Sequence, residues 1–64
     1  MEITLKAARV NAGLTQKEAA AKIGISKQTL SAYENGKRFP EPDVIRRIEE
    51  VYGLSYNNIR FRPK

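Results

Sequence analysis

The chain has 64 residues, a formal net charge of +5, no cysteine and no histidine. This composition suits one small domain, residues 1–64, and excludes disulfides, the usual zinc sites and catalysis by histidine or cysteine. No apolar run approaches the ~18 residues of a membrane helix, and the charged N-terminus is unlike a signal peptide, so we expect a cytoplasmic protein.

The first predicted helix begins at Leu5, because the hydroxyl of Thr4 can accept a hydrogen bond from an amide of the first turn. Leu5, Ala8 and Ala12 would form the buried face of this helix. Gly13 would end it.

A second helix is predicted to begin at Gln16. Thr15 and Glu18 have the T-x-x-E spacing of a capping box, in which each residue satisfies an amide near the other. Gly24 stands where a helix commonly ends with positive φ. The apolar residues expected on the buried face are Ala19, Ala20 and Ile23.

A third helix is predicted from Lys27 to about Glu34. Ser26 precedes it and is a favourable N-cap residue. Leu30 and Tyr33 are three residues apart and would face the core, which leaves polar and cationic side chains on the outer face.

The sequence after residue 40 predicts two more helices. Pro42 and Asp43 suit the first turn of a fourth helix, Gly53 would end it, and Ser55 can cap a short fifth helix through Ile59. The buried positions of the fourth helix follow a helical period: Val44, Ile45, Ile48, Val51 and Tyr52.

The segment 15–36, TQKEAAAKIGISKQTLSAYENG, has the layout of a helix-turn-helix, with Ala20, Gly24, Leu30 and Tyr33 at the constrained positions. The chain resembles the Cro and phage-repressor class of helix-turn-helix domains, often called the Xre family, in LTQ (14–16), GISKQTLSAYENG (24–36) and YGLS (52–55). The similarity covers roughly residues 4–59. It implies an all-α fold, a compact bundle of five short helices with the helix-turn-helix at about residues 16–35. Ala19 replaces a larger apolar residue usual in the family.

The resemblance implies that the third helix enters the major groove of DNA and reads base edges with its first residues. The base-reading residues would be Lys27, Gln28 and Ser31, with Ala32 beside them. Glutamine can bond adenine at two atoms, lysine can donate to guanine, and alanine can contact a thymine methyl group. Lys27 also fits a solvated charge or a phosphate contact, and Gln28 an unengaged surface amide.

Phosphate contacts are implied for residues at the helix ends: Gln16, Ser26, Asn35, Gly36, Lys37 and Arg38. The backbone amide of Gln16 lies at a helix start, where the dipole favours an anion, and its side chain would reach a phosphate or steady Gln28. Asn35 and Gly36 also fit a turn that simply ends the helix, and both roles can hold together.

The family pattern also implies an ion pair between Arg9 of the first helix and Glu34 at the end of the third. We expect this pair to be partly buried and to fix the angle between the two helices. Its role would be structural.

Positive charge is concentrated in the predicted helix-turn-helix. Residues 1–38 hold seven Lys or Arg against three Glu, whereas residues 39–59 hold two Arg against four acidic residues. A basic domain of this kind has the electrostatic character of a nucleic-acid binder. The sequence therefore favours sequence-specific binding of double-stranded DNA by a small transcriptional regulator, such as a phage or mobile-element repressor or a Cro-like protein.

One such module covers few base pairs, so we expect a homodimer that reads two half-sites one helical turn apart. Because no long dimerisation segment is present, the dimer would be weak in solution and form mainly on DNA. Three roles fit the basic tail, residues 60–64: a strand that pairs with a second copy, an arm on DNA, or a segment whose Phe61 packs on the core.

A second class of function is an antitoxin or adaptor module that mainly binds a protein partner. It would need a large exposed apolar patch, for which the candidates are Phe39, Tyr56 and Phe61. An enzyme is not expected, because the sequence has no metal-ligand cluster and no phosphate-binding loop, and we predict no cofactor and no metal.

Overall fold

The computed structural model describes residues 2–61, and within that range it contains four α-helices. These are α1 (Leu5–Asn11), α2 (Gln16–Ile23), α3 (Lys27–Glu34) and α4 (Pro42–Tyr52). A single 3-10 turn, Tyr56–Asn58, and two short strands, β1 (Ile3–Thr4) and β2 (Ile59–Arg60), complete the fold. The prediction of a mostly helical bundle is confirmed. The count of five helices is wrong, because the fifth is only the 3-10 turn.

The predicted fifth helix is limited to the 3-10 turn because the chain becomes extended at Ile59. The hydroxyl of Ser55 does accept a hydrogen bond, from the amide of Asn57 at 3.3 Å. Ile59, however, has φ −116° and ψ 129°, and the segment pairs in parallel with β1, with Ile59 opposite Ile3. Tertiary pairing with the start of the chain thus overrides the local helix signal, and Ile59 becomes part of the core.

The pairing of β2 also bears on the basic tail. Its first residues form a strand, but this strand pairs with β1 of the same chain. The side chain of Phe61 is buried, as one of the three predicted roles requires. The remaining part of the tail, residues 62–64, lies outside the described residues.

Hydrogen-bonding caps define the starts of α1, α2 and α3. Thr4 Oγ1 accepts from the amide of Ala7 at 3.0 Å, and Ser26 Oγ accepts from the amide of Thr29 at 3.0 Å. Thr15 and Glu18 form a complete capping box, with both hydrogen bonds present at 2.9 and 3.1 Å. The hydrogen bond from the Thr15 backbone lowers the pKa of Glu18. The predicted helix starts are therefore confirmed.

Left-handed glycines end α2 and α4. Gly24 has φ 88° and Gly53 has φ 68°, and a Cβ atom added to either would meet nothing within 4 Å. Backbone conformation, rather than lack of space, therefore favours glycine at both positions. The end of α1 differs from its prediction, because Ala12 is an exposed C-cap residue and not part of the buried face.

The core draws on every helix and on β2. Its members are Leu5, Ala8, Ala19, Ala20, Ile23, Leu30, Tyr33, Val44, Ile48, Tyr52, Ile59 and Phe61. Leu30 of α3 and Ile48 of α4 are 0% exposed, so the third helix is anchored at its middle. Across residues 2–61, none of the helices has the length and apolar character needed to cross a membrane.

The capping box yields a stability prediction. Replacing Thr15 by alanine leaves the amide of Glu18 without its acceptor, so we expect Thr15→Ala to lower the free energy of unfolding by about 1 kcal/mol. The measurement is urea unfolding followed by circular dichroism. Lys17→Ala, at an exposed position of the same helix turn, is the control and should change stability little. Equal effects of both changes would contradict a specific contribution from the cap.

Candidate nucleic-acid interface

The turn between α2 and α3 is closed by backbone hydrogen bonds. The amides of Gly24 and Ile25 both donate to the carbonyl of Ala20, at 2.8 and 3.0 Å. Ile25 is half-buried against the core, so the turn is held from inside as well. Ser26 then starts α3, and its hydroxyl is fully engaged in the cap because it also donates to Thr29 Oγ1 at 2.8 Å.

The third helix has one buried and one outward face. Leu30 and Tyr33 lie in the core. On the other side, Lys27 and Gln28 are exposed, and Ser31 and Ala32 are half-buried. These four are spaced as two i, i+4 pairs and so lie next to one another on one helix surface. We call them the outward face of α3. Among residues 2–61, the side chains of Lys27 and Gln28 form no hydrogen bond or ion pair.

A buried ion pair joins α1 to the end of α3. Arg9 Nε donates to Glu34 Oε2 at 2.7 Å and Nη2 donates to Oε1 at 3.3 Å, so the contact is bidentate. Arg9 Nη1 also donates to the carbonyl of Leu14 at 3.0 Å. The two charged side chains are only 10% and 4% exposed. Because a carboxylate at a helix C-terminus opposes the helix dipole, the guanidinium supplies the charge that this position requires.

The side chain of Gln16 completes the same cluster. Its Nε2 donates to Glu34 Oε1 at 3.0 Å, a shorter contact than the one from Arg9 to that oxygen. Gln16 is the first residue of α2 and Glu34 is the last of α3. The side chain therefore bridges the two ends of the helix pair that lie away from the turn.

The segment after α3 turns back on the helix. The amide of Gly36 donates to the carbonyl of Tyr33 at 3.1 Å, and that of Lys37 donates to the carbonyl of Ala32 at 2.9 Å. Asn35 donates from its side chain to Ser31 Oγ at 3.3 Å. The segment thus ends the helix, and it leaves the cations of Lys37 and Arg38 exposed beside it.

A family model described as "Helix-turn-helix" matches residues 5–58 of the chain. The chain belongs to the helix-turn-helix family. It is of the Cro and phage-repressor type that the resemblance in residues 4–59 indicated.

The chain spans less than half of the length of the curated relatives that it matches. The HTH-type transcriptional regulator ImmR of Bacillus subtilis (strain 168) is 45% identical over 51 residues, which cover 80% of this chain and 40% of that protein. The endothelial differentiation-related factor 1 homolog of Danio rerio is 46% identical over 46 residues, covering 72% and 32%. A putative multi-protein-binding factor 1 of Yarrowia lipolytica is 41% identical over 46 residues, covering 72% and 30%. No solved structure matches the chain significantly.

The helix-turn-helix domain brings the predicted residues together in two places. The outward face of α3 contains the four residues predicted to read bases. Gln16, Asn35, Gly36, Lys37 and Arg38 lie at the ends of α2 and α3 that are distant from the turn, while Ser26 lies in the turn. The side chain of Gln16 donates a hydrogen bond to Glu34, and within residues 2–61 it forms none with Gln28. Nothing in the sequence points to this contact between residues 18 positions apart, because it depends on how the helices cross.

Tyr52 of α4 is buried near the Arg9–Glu34 pair. The sequence pattern predicts it as a core residue and gives no sign of an electrostatic interaction with that pair. Its side-chain hydroxyl is buried without a hydrogen-bond partner among residues 2–61. Burial, and to a lesser degree the negative charge of Glu34, raise the pKa of Tyr52 to about 12, and the charge of Arg9 partly opposes this shift.

Removal of Arg9 tests the ion pair. Arg9→Ala leaves the buried Glu34 carboxylate without a countercharge, so we expect a loss of about 3–5 kcal/mol in the free energy of unfolding. The paired replacement Arg9→Met with Glu34→Leu removes both charges and should cost far less. Urea unfolding measures both. A loss below about 1 kcal/mol for Arg9→Ala, which is typical of an exposed pair, would contradict a buried pair.

The shifted pKa of Tyr52 predicts a dependence of stability on alkaline pH. The unfolded chain ionises this phenol at about pH 10, whereas the folded chain ionises it near 12. The folded state therefore retains the proton more tightly, and its advantage is complete below pH 10 and lost as pH rises from about 10 to 12.

The measurement is urea unfolding of the wild type and Tyr52→Phe at pH 9, 10 and 11. The wild type should lose more stability over this range than the variant, which has no phenol at that position. Parallel pH profiles for the two proteins would show that Tyr52 is not the cause.

Proposed function

We propose that this helix-turn-helix domain binds double-stranded DNA sequence-specifically as part of a small transcriptional regulator, with α3 in the major groove. The outward face of α3 carries the proposal. Lys27 and Gln28 are exposed at the start of the helix and take no part in the hydrogen bonding of the fold. Side chains of this kind, presented by a helix whose other face is anchored in the core, are suited to reading base edges.

The contacts would divide between bases and phosphates. Gln28 would read adenine and Lys27 guanine, with Ser31 and Ala32 contacting neighbouring base edges.

Lys37 and Arg38 are exposed cations directly after α3 and would neutralise phosphates. The backbone amide of Gln16, at the start of α2, is a further phosphate donor favoured by the helix dipole. Asn35, Gly36 and Ser26 border the same surface and would complete the phosphate contacts.

Dimerisation on DNA belongs to the same proposal. A single α3 spans few base pairs, so specificity on a genome calls for two half-sites read by two copies. ImmR, whose name describes a transcriptional regulator, is similar over most of this chain. A repressor from a phage or mobile element, or a Cro-like protein, is the regulator type that we propose.

A second candidate function is binding of a protein partner, as an adaptor or antitoxin does. The names of the relatives favour it in part, because one is described as a putative multi-protein-binding factor. The structure offers an aromatic patch, Phe39, Tyr56 and Phe61, in which the ring centroids of the first two lie 5.6 and 5.4 Å from that of Phe61. Phe39 is 47% and Tyr56 43% exposed. Only two of its three rings are exposed, since Phe61 is 6% exposed, so DNA binding is our first choice.

The test is selection from a pool of random duplex DNA at ~150 mM salt, where non-specific binding is weak. We expect the wild type to enrich a motif with two half-sites. Gln28→Ala should change the preferred base at one position in each half-site, because a lost bidentate contact removes roughly 1–3 kcal/mol of discrimination. The control is Asn57→Ala, which removes an exposed carboxamide from the 3-10 turn.

Two outcomes would contradict the proposal. A chain that enriches no motif would redirect attention to the aromatic patch and a protein partner. A motif that Gln28→Ala and Asn57→Ala alter equally, or not at all, would show that the outward face of α3 does not read the bases.

A further inference from the structure

The rings of the aromatic patch, Phe39, Tyr56 and Phe61, are held in a defined arrangement. The buried Phe61 ring lies at the centre, with the Tyr56 ring stacked on it at 5.4 Å and an interplanar angle of 25°, and the Phe39 ring edge-on at 5.6 Å. The backbone amide of Tyr56 donates to Glu49 Oε2 at 2.7 Å, which ties the 3-10 turn to α4. Because the rings are already in place, little side-chain entropy is lost when a second surface covers them.

Two opposite charges border the patch. An open cavity of about 290 Å³ lies beside the rings, and Glu2 and Arg60 both contribute to its lining. The parallel pairing of β1 with β2, which sets Thr4 opposite Arg60, brings these two residues together from the two ends of the described chain. Both side chains are exposed, and within residues 2–61 neither forms an ion pair or a hydrogen bond. The cavity therefore has one unpaired charge of each sign beside apolar rings.

This arrangement is complementary to itself. In a two-fold interface each residue meets its counterpart's partner twice, so Glu2 of each copy can meet Arg60 of the other while the aromatic rings meet near the axis. A net charge of +5 makes two copies of the chain repel each other, but the charges of Glu2 and Arg60 cancel within this surface. An acidic or a basic partner would pair with only one of the two charges, whereas a second copy pairs with both.

The patch also begins where the proposed DNA contacts end. Phe39 directly follows Lys37 and Arg38, the exposed cations that would contact phosphates. The chain measures 27 × 23 × 20 Å, and successive half-sites on one face of a duplex lie about 34 Å apart. Two copies bound to such half-sites are therefore close enough for surfaces that border the DNA contacts to meet.

We infer that the aromatic patch, together with Glu2 and Arg60, is the surface through which two copies of this chain contact each other on adjacent half-sites. The inference rests on the proposed function, because DNA brings the copies together. The exposed parts of Phe39 and Tyr56 supply about 130–220 Å² per copy, well below the ~800 Å² per partner of a standard stable interface. The contact is therefore weak in free solution and acts between copies held on one duplex, where the effective concentration is high.

The experiment measures cooperativity between the two copies. The cooperativity factor is the affinity of a second copy for a duplex that already holds one copy, divided by the affinity for a duplex with a single half-site. Because the single half-site reports any change in DNA affinity that an altered charge causes, the factor isolates the contact between copies. In the wild type, lengthening the spacing between half-sites by about 5 base pairs, half a helical turn, should reduce the factor to about 1.

Charge reversal tests the pairing of Glu2 with Arg60 across the interface. Glu2→Arg places like charges at both symmetric contacts, and so does Arg60→Glu, so each variant alone should lose about fivefold in the cooperativity factor. An equimolar mixture of the two variants should recover the factor, because opposite charges meet again between the copies. A pairing within one chain predicts no such recovery. The matched controls are Glu50→Arg and Arg46→Glu, at exposed positions of α4 outside the cavity lining, which should leave the factor unchanged alone and mixed.

The contribution of the rings is tested at Phe39. Phe39→Ala removes apolar area from both copies and should lower the cooperativity factor roughly tenfold. Val10→Ala is the control, since Val10 is 57% exposed and lies on α1 outside the cavity lining. Urea unfolding checks that the variants are folded. A wild-type factor of about 1, or reversals and a Phe39 change that act no more strongly than their controls, would overturn the inference and indicate a different occupant of the patch.

Failure of the proposed function can be told apart from failure of this interface. If the wild type selects no DNA motif, the proposed function fails, and association without DNA then decides the interface. At low salt, unlabelled Arg60→Glu should shift the nuclear magnetic resonance signals around Tyr56 of isotope-labelled Glu2→Arg more than unlabelled Glu2→Arg does. Equal shifts would overturn the interface irrespective of any DNA. A selected motif that is bound without cooperativity would overturn the interface and leave DNA binding standing.

Discussion

The placement of α3 depends on the buried carboxylate of Glu34. This charge lies at the negative end of the helix dipole and is almost completely removed from water, a position that is strongly unfavourable without a partner. Arg9 supplies the countercharge and is itself bonded to the carbonyl of Leu14. These contacts join α1, the segment before α2 and the end of α3 at one buried point. The outward face of α3 inherits its orientation from that arrangement.

The individual helices are not stable enough to hold this arrangement without tertiary contacts. Segments of seven or eight residues, such as α1, α2 and α3, are too short to be stable alone in water. Their caps define where each begins, but burial of residues such as Leu30 and Ile48 provides the main stabilisation. The pairing of β1 with β2 joins the two ends of the described chain across this core. Stability is therefore collective and does not depend on the exposed start of α3.

What the sequence predicts well is what neighbouring residues decide. The capping box of Thr15 and Glu18 and the left-handed Gly24 act over three or four residues, and their spacing is visible in the letters. The same local signals predict a fifth helix after Ser55. This prediction is wrong, because Ile59 is extended and pairs with Ile3 near the other end of the chain. The Gln16–Glu34 contact likewise cannot be predicted from local sequence, since it depends on how α2 and α3 cross. The Arg9–Glu34 pair was anticipated only through resemblance to a family, which carries information about tertiary contacts that spacing lacks.

The fold and the recognition surface place different demands on the sequence. Gln16 and Glu34 are hydrogen-bonded to each other within the protein, so replacing either removes a contact between α2 and α3. Lys27 and Gln28 are exposed and outside the hydrogen bonding of residues 2–61, so they can change without loss of stability. Relatives that are 41–46% identical bear names as different as a transcriptional regulator and a multi-protein-binding factor. A shared scaffold with independent surface residues accounts for such divergence, because function depends on the side chains that the fold presents rather than on the fold itself.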